Sequence, residues 1–154
     1  MSYLFVALSY LIGSINFAYL VAKYKKLDIS SSGSGNPGTS NVMRTIGKKY
    51  AAIVLIGDVF KGFIPIFLFD ENLLLCGFAA VIGHIYPIFY KFKGGKGVAT
   101  YIGVYIAFST INPLSYDFFE NSYFLFLNIP VLAVFYFVVF KIFRISAIAS
   151  LLTV

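Results

Sequence analysis

The sequence predicts an all-α, polytopic integral membrane helix bundle. Of its 154 residues, 60% are hydrophobic and 12% are charged, whereas about 25% of the residues in soluble domains are charged. Long apolar segments recur along the chain and are separated by short loops. The basic residues gather in every second loop, as they do in proteins that cross a membrane several times. Together these observations predict one membrane-embedded domain over residues 1–154.

Five apolar segments meet or approach the length of about 20 residues that a spanning helix needs. They are Tyr3–Ala22, Tyr50–Phe69, Asn72–Tyr90, Val98–Leu114 and Tyr123–Phe140. A sixth apolar segment runs from Ile145 to Val154, which is too short to cross a bilayer. We therefore expect the sequence to stop inside a helix and to be truncated at its C-terminus. No basic residue precedes the first segment, which therefore predicts a retained membrane helix and not a cleaved signal peptide.

The positions of the charges predict the orientation of these helices. Every Lys and Arg except Lys61 lies in the first, third or fifth loop. All charged residues of the second and fourth loops are acidic. By the positive-inside rule, the odd-numbered loops face the cytoplasm and the N-terminus lies outside. The net charge of +6 is thus explained by membrane orientation, and we expect no nucleic-acid partner.

The first loop contains the segment GSGNPGTSNVMR. Its glycines let the loop present several backbone N–H groups to one anion, and the final arginine adds a forked cation. Asn-Pro-Gly predicts a defined turn, and the Thr-Ser-Asn that follows supplies candidate N-caps for a short helix whose N-terminus would attract an anion. A flexible linker with one stray arginine is the alternative. The candidate phosphate-binding residues are Gly33, Ser34, Gly35, Asn36, Gly38, Thr39, Ser40, Asn41 and Arg44.

The third loop, KFKGGKG, repeats this chemistry just before the next apolar segment. Its glycines allow the backbone and a lysine to approach an anion closely, and the start of the following helix adds a positive dipole end. The alternative is a basic patch that only sets the membrane topology. This role suits Lys91 and Lys93, whereas Lys96 has glycine on both sides and is favoured as a ligand. Neither loop matches the nucleotide-binding P-loop pattern. The candidate ligands are Gly94, Gly95, Lys96 and Gly97.

Polar residues also lie within the apolar segments. Asp58 and Lys61 are three residues apart, so they share a helix face and can pair. Unpaired, each would cost about 2.5–3.5 kcal/mol at the bilayer centre, and a structural ion pair and a direct catalytic role are both open. Counting residues from the basic side places Asn16, Asp58 and His84 at depths of about 9–12 Å. This shared depth predicts a common pocket floor beneath the two loops.

The chain resembles the PlsY family of bacterial membrane acyltransferases. The resemblance covers essentially the whole chain and rests on three stretches in the same order: GSGNPGTSNVMR, GDVFKG (Gly57–Gly62) and GHIYPIFYKFKGGKGVAT (Gly83–Thr100). A later motif is present in part as RISAIASL, where Ser150 matches and Ala147 stands at a position usually occupied by Ser. Members of the family continue to a C-terminal stretch with a His and an Asn near the substrate.

The resemblance implies transfer of a fatty acyl group from acyl phosphate to the 1-hydroxyl of sn-glycerol 3-phosphate. The product is 1-acyl-glycerol 3-phosphate (lysophosphatidic acid), a precursor of phospholipids. The resemblance also implies no metal, nucleotide or other cofactor, a place in the bacterial cytoplasmic membrane, and a functional link to the enzyme that makes acyl phosphate. Ser34, Arg44 and Lys96 match the family's substrate-contacting residues, and with His84 they are the candidate catalytic residues.

The proton acceptor of this reaction is open. His84 is one candidate because histidine is a common general base, and Asp58 is a second candidate unless it is paired with Lys61. The resemblance favours a third acceptor, a phosphate of the substrate. A small transporter or exchanger of an organic phosphate is the competing function, although the sequence shows no inverted internal repeat. A structural membrane subunit would leave the glycine loops unexplained.

Overall fold

A computed structural model describes residues 2–110 of the chain, which contain helices, turns and loops and, within that range, no strand. Residues up to Ala107 form one compact unit, and the remainder belongs to a second. The expected span Tyr123–Phe140, the segment from Ile145, and the motif containing Ala147 and Ser150 lie outside the described residues. The prediction of an all-helical chain is confirmed for the part that the structure describes.

The described part contains six α-helices and a short 3₁₀ turn at Ile88–Tyr90. The helices are α1 (Ser2–Gly13), α2 (Phe17–Tyr24), α3 (Thr39–Thr45), α4 (Lys48–Leu68), α5 (Leu73–Ile85) and α6 (Val98–Thr110). Three stretches, Tyr3–Tyr24, Lys48–Leu68 and Leu73–Tyr90, are long and apolar enough to cross a membrane. They correspond to the first three expected spans, and α6 occupies the described portion of the fourth. The chain is a multi-pass membrane protein.

The first span is not the continuous helix that the sequence suggested, because it breaks between α1 and α2. The Ser14 hydroxyl donates to the Tyr10 carbonyl at 2.8 Å, and the Ile15 N–H donates to the Ile12 carbonyl at 3.1 Å, which tightens the end of α1. Asn16 then starts α2 as its N-cap, with Oδ1 accepting the Tyr19 N–H at 3.1 Å. A side-chain cap competes with helix continuation, which explains the break.

Glycines bring the membrane helices close together. A Cβ atom on Gly13 or Gly83 would collide with the backbone of Ala80 or Tyr10, so α1 and α5 pack at backbone distance. Gly62 and Gly103 bring α4 and α6 together in the same way. Small residues at helix contacts are typical of membrane bundles, in which association depends on van der Waals packing more than on the hydrophobic effect. Large apolar side chains such as Phe60, which is 55% exposed, cover the outside.

Candidate functional site

The first loop is anchored in the core of the bundle. Ile29 at its beginning and Val42 in α3 are fully buried, and both belong to one apolar cluster with Ala18 of α2 and Val54 of α4. A flexible linker would not bury its own residues among membrane helices. The loop therefore has a defined position, and the linker interpretation of the sequence is not supported.

Asn41 organises this loop from inside. It is 1% exposed, and its Oδ1 accepts the Ser34 N–H at 2.9 Å. Its Nδ2 donates to the carbonyls of Ser32 at 2.9 Å and Ile29 at 3.4 Å. The amide is thus engaged with the loop backbone, which makes Asn41 a positioning residue. A Cβ on Gly33, whose φ is +59°, would run into the Asn41 side chain, so the curve of the loop requires glycine there.

The expected turn and short helix are both present, with one correction. The Gly38 N–H donates to the Asn36 carbonyl at 2.9 Å, which closes a tight turn around Pro37. The helix that follows, α3, begins with Gly38 as its N-cap and has no side-chain cap. Thr39, Ser40 and Asn41 lie inside α3, so the prediction that they cap it is wrong. Gly38 takes the cap position because it adopts the extended conformation there, while the Asn41 side chain is used by the loop.

The second glycine loop, KFKGGKG (Lys91–Gly97), packs on the end of α5. The Gly95 N–H donates to the His84 carbonyl at 3.2 Å, and a Cβ on Gly95 would collide with the His84 ring. A Cβ on Gly94 would likewise collide with the His84 carbonyl and with the Pro87 ring. Gly97 has a φ of +81° and immediately precedes α6, so this loop does end at a helix start as expected.

The two glycine loops meet at Pro37 and Gly95. A Cβ on Gly95 would lie 3.2 Å from the Pro37 carbonyl oxygen, so the buried backbone of one loop contacts the buried turn of the other. Ser34, Arg44 and Lys96 are all exposed on these two contacting loops. Positive side chains on an exposed, glycine-rich surface suit a phosphate.

A buried charged cluster lies beneath the second glycine loop, next to Gly95. Lys61 Nζ is 2.9 Å from Asp58 Oδ1, which confirms the predicted pair. His84 Nδ1 is 3.6 Å from the same oxygen, too far for a hydrogen bond. Asp58, Lys61 and His84 are 1%, 3% and 3% exposed. Lys61 also donates to the Ile15 carbonyl at 2.6 Å, at the break in the first span.

Asn16 is fully buried, and both polar atoms of its side chain bind backbone groups. Its Oδ1 caps α2, and its Nδ2 donates to the Pro37 carbonyl at 3.3 Å. At the helix break, Asn16 therefore binds the backbone of the first loop, and the Ile15 carbonyl binds Lys61 of the buried cluster. Sequence reasoning missed both carbonyl acceptors, Ile15 and Pro37, because a backbone oxygen leaves no mark in the residue type. Among residues 2–110 there is no group of three or more His, Cys, Asp or Glu that could hold a metal ion.

Comparison with known proteins gives a consistent result. The sequence model of the family described as glycerol-3-phosphate acyltransferase matches residues 3–154. The glycerol-3-phosphate acyltransferase of Aquifex aeolicus (strain VF5) is 47% identical over 111 residues, which cover 68% of this chain and 58% of that protein. The enzyme of the same name from Neisseria meningitidis serogroup C (strain 053442) is 46% identical over 120 residues, covering 71% of this chain and 60% of that protein.

Solved structures agree. A crystal structure of PlsY, an integral membrane glycerol 3-phosphate acyltransferase, in its glycerol 3-phosphate form superposes with a TM-score of 0.75 at 37% identity. The match covers 99% of this chain and 72% of that one. The lysophosphatidic acid form of PlsY gives a TM-score of 0.70 at 37% identity and covers 99% of this chain and 71% of that one.

The family model and the solved structures match nearly all of the chain, whereas the two curated relatives match 68% and 71% of it. The chain spans 58% and 60% of the length of the two curated relatives. Its glycine loops, with their exposed Ser34, Arg44 and Lys96, lie in the part of the chain that the structure describes. By the match of residues 3–154, the chain belongs to the glycerol-3-phosphate acyltransferase family.

Proposed function

We propose that the protein transfers a fatty acyl group from acyl phosphate to the 1-hydroxyl of sn-glycerol 3-phosphate. The observation that supports this most directly is the contact between two glycine loops that expose Ser34, Arg44 and Lys96. Family membership supports it as well, since relatives are named for this substrate. Acyl phosphate as the donor is what the resemblance to the PlsY family implies, and two cationic loops are compatible with a second anionic substrate.

In this reaction the 1-oxygen of glycerol 3-phosphate attacks the acyl carbon. The new ester C–O bond forms while the C–O bond to the donor phosphate breaks, and inorganic phosphate leaves with the electron pair. Phosphate is already a good leaving group, so a covalent enzyme intermediate is unnecessary. The chain has two tasks, to hold two anions together and to stabilise the charge that develops on the carbonyl and phosphate oxygens.

We assign these tasks to the exposed residues of the two loops. Arg44 and Lys96 offset the repulsion between the two phosphates, since both are basic side chains. Ser34 orients a phosphate or the attacking hydroxyl. Gly35, Gly94 and Gly97 let the two loops turn and pack closely on the protein, and Asn41 maintains the shape of the first loop.

We assign the proton of the attacking hydroxyl to a substrate phosphate. His84 is buried between Asp58 and Gly95, and the Gly95 backbone covers the Nε2 side of its ring. Asp58 is paired with Lys61. Both candidate bases are thus engaged in the buried cluster, and the acceptor that we assign is the one that the family resemblance favours, a phosphate oxygen of the bound substrate.

We further place the protein in the bacterial cytoplasmic membrane, with both glycine loops facing the cytoplasm. The basic residues on the loop side support this orientation through the positive-inside rule. The family resemblance also implies a functional link to the enzyme that makes acyl phosphate.

Formation of lysophosphatidic acid from palmitoyl phosphate and labelled glycerol 3-phosphate tests the proposal. The purified chain in lipid vesicles should form labelled product, Lys96→Ala should abolish most of it, and Lys93→Ala should not. Lys93 is the matched control because it is an exposed lysine of the same loop. No product from the chain, beside an active A. aeolicus relative, would overturn the proposal. Counterflow of unchanged glycerol 3-phosphate without product would establish a transporter instead.

A further inference from the structure

A cleft separate from the glycine loops opens where two membrane spans end. Its volume is about 390 Å³, which is within the size range of small-ligand sites. Residues at the end of α2, the segment that follows α2 and the 3₁₀ turn line it: Tyr19, Ala22, Lys23, Lys26, Leu27, Asp28, Ile29 and Tyr90. We call this the interfacial cleft. It is larger than an inorganic ion needs, so its size suits a headgroup with part of its chains.

The interfacial cleft has an apolar interior and a charged rim. Ala22 and Ile29 are buried in its wall, and the rings of Tyr19 and Tyr90 stack with centroids 4.5 Å apart. Lys23, Lys26 and Asp28 at its rim are exposed. An apolar wall with cations at its edge is complementary to an amphiphile whose headgroup is negative.

The position of the interfacial cleft indicates a membrane lipid as the occupant. The spans Tyr3–Tyr24 and Leu73–Tyr90 end beside it, on the side that carries the basic loops. Headgroups lie at this level of a bilayer, and tyrosines are enriched there. Lipid is present at this level at very high local concentration, whereas a soluble ligand would have to compete with it.

The charge of the rim distinguishes one lipid class from another. Two lysine ammonium groups and one aspartate carboxylate sum to a net charge of +1. A phosphodiester carries a single negative charge and neutralises this rim, whereas a doubly charged phosphate monoester would leave an excess beside Asp28. The described residues give the Asp28 carboxylate three hydrogen bonds, from Ser30 N, Ser30 Oγ and Ser31 Oγ. A carboxylate can accept about four, so a headgroup hydroxyl can also bind.

We propose that the interfacial cleft binds an anionic diacyl phospholipid with a hydroxyl-bearing phosphodiester headgroup, of the phosphatidylglycerol type. Lys23 and Lys26 contact the phosphodiester, Asp28 accepts from the headgroup hydroxyl, and the chains leave along Ala22 into the bilayer.

The interfacial cleft shares one chain segment with the first glycine loop. The Ile29 carbonyl accepts from Asn41 Nδ2 at 3.4 Å, and the Asp28 carbonyl accepts from Ser32 Oγ at 2.7 Å. A lipid held against Asp28 and Ile29 restrains the beginning of the loop that exposes Ser34. Bound lipid should therefore lower the KM for glycerol 3-phosphate, a consequence that also depends on the proposed function.

Lipid binding itself is measured without any activity. The purified chain in a neutral detergent is titrated with phosphatidylglycerol, and bound lipid is counted by native mass spectrometry. The test variant is Lys23→Gln/Lys26→Gly and the matched control is Lys93→Gln/Lys91→Gly. Each removes two exposed basic residues and relieves one positive φ, +53° at Lys26 and +54° at Lys91. Only the test variant alters the interfacial cleft.

We expect one phosphatidylglycerol per chain in the wild type and in the control, and at least about tenfold weaker binding in the test variant. Equal weakening in both variants would show a diffuse surface charge effect and overturn the proposal. So would equal retention of phosphatidylcholine by the wild type, or displacement of phosphatidylglycerol by inorganic phosphate. Tighter binding of lysophosphatidic acid than of phosphatidylglycerol would overturn the choice of a diester. Monodisperse elution and unchanged helical circular dichroism establish that both variants fold.

Discussion

Lys61 Nζ donates to the carbonyl oxygen of Ile15 at 2.6 Å, so an ammonium group of α4 binds the backbone where the first membrane span is broken. Lys61 pairs with Asp58 at the same time. The break thus provides the partner that a buried cation needs, and the cation stabilises a carbonyl that the interrupted helix leaves without its usual N–H.

Replacing Lys61 by Met should destabilise the protein by about 3–5 kcal/mol, because it leaves the Asp58 carboxylate buried and unpaired. Unfolding in mixed micelles measures the change. The neutral double variant Asp58→Asn/Lys61→Met should recover most of the loss, and Lys93→Met at an exposed site should cost little. A single variant as stable as the wild type would show that the pair contributes nothing.

Replacing Asn41 by Ala should raise the KM for glycerol 3-phosphate and cost about 1–3 kcal/mol of stability. The Ser34 N–H and the Ser32 carbonyl lose their partner, and the glycine loop loses its shape. Steady-state kinetics and thermal unfolding measure the two effects. Met43→Ala, at an exposed position of the same helix, is the control and should leave both values close to wild type. An unchanged KM in Asn41→Ala would contradict the organising role.

Replacing Gly95 by Ala should lower activity by at least about tenfold, because the new methyl group collides with the His84 ring and displaces Lys96. Lysophosphatidic acid formation measures the loss. The double variant Gly95→Ala/His84→Ala removes the ring and should recover part of the activity relative to Gly95→Ala alone. If the double variant is no more active than Gly95→Ala, the new methyl group collides with the Pro37 backbone and not with the His84 ring.

His84→Ala should reduce kcat less than Lys96→Ala does. Loss of Lys96 removes a charge that stabilises the transition state, an effect of about 10²–10³ in kcat, whereas loss of His84 only loosens the support of Gly95. Both variants are compared at saturating substrate, with helical content as the folding control. Complete loss of turnover in His84→Ala, with normal folding and substrate binding, would instead identify His84 as the general base.

Acid should remove a stabilising contribution of Asp28. Hydrogen bonds from Ser30 and Ser31 lower the pKa of its carboxyl below the ordinary value of 3.8. A lowered folded-state pKa stabilises the protein above the unfolded pKa and loses that effect as the pH falls through the folded pKa. The Tm difference between wild type and Asp28→Asn should therefore be constant above about pH 5 and shrink below about pH 4. A difference that grows on acidification would contradict this assignment.

Local sequence patterns were enough for much of the site. The glycines and basic residues marked both loops, and the i, i+3 spacing predicted the Asp58–Lys61 pair, since such spacing puts two side chains on one helix face. The prediction that Thr39, Ser40 or Asn41 caps α3 was wrong, because Gly38 is the N-cap. The Asn41 side chain binds the loop backbone at Ser34 instead. The depth count for Asn16 assumed a continuous helix, whereas Asn16 starts a new one as its N-cap.

The sequence by itself determined the membrane class, the positions of the first three spans, the family and the two loops, because hydrophobic length, charge and glycine placement are local properties. Only the tertiary structure decided how these parts meet. The contact of Pro37 with Gly95, the Lys61–Ile15 hydrogen bond and the interfacial cleft depend on backbone atoms and on residues distant in the chain. Every residue has a carbonyl oxygen, so residue types alone do not indicate which carbonyl a buried Asn or Lys will find.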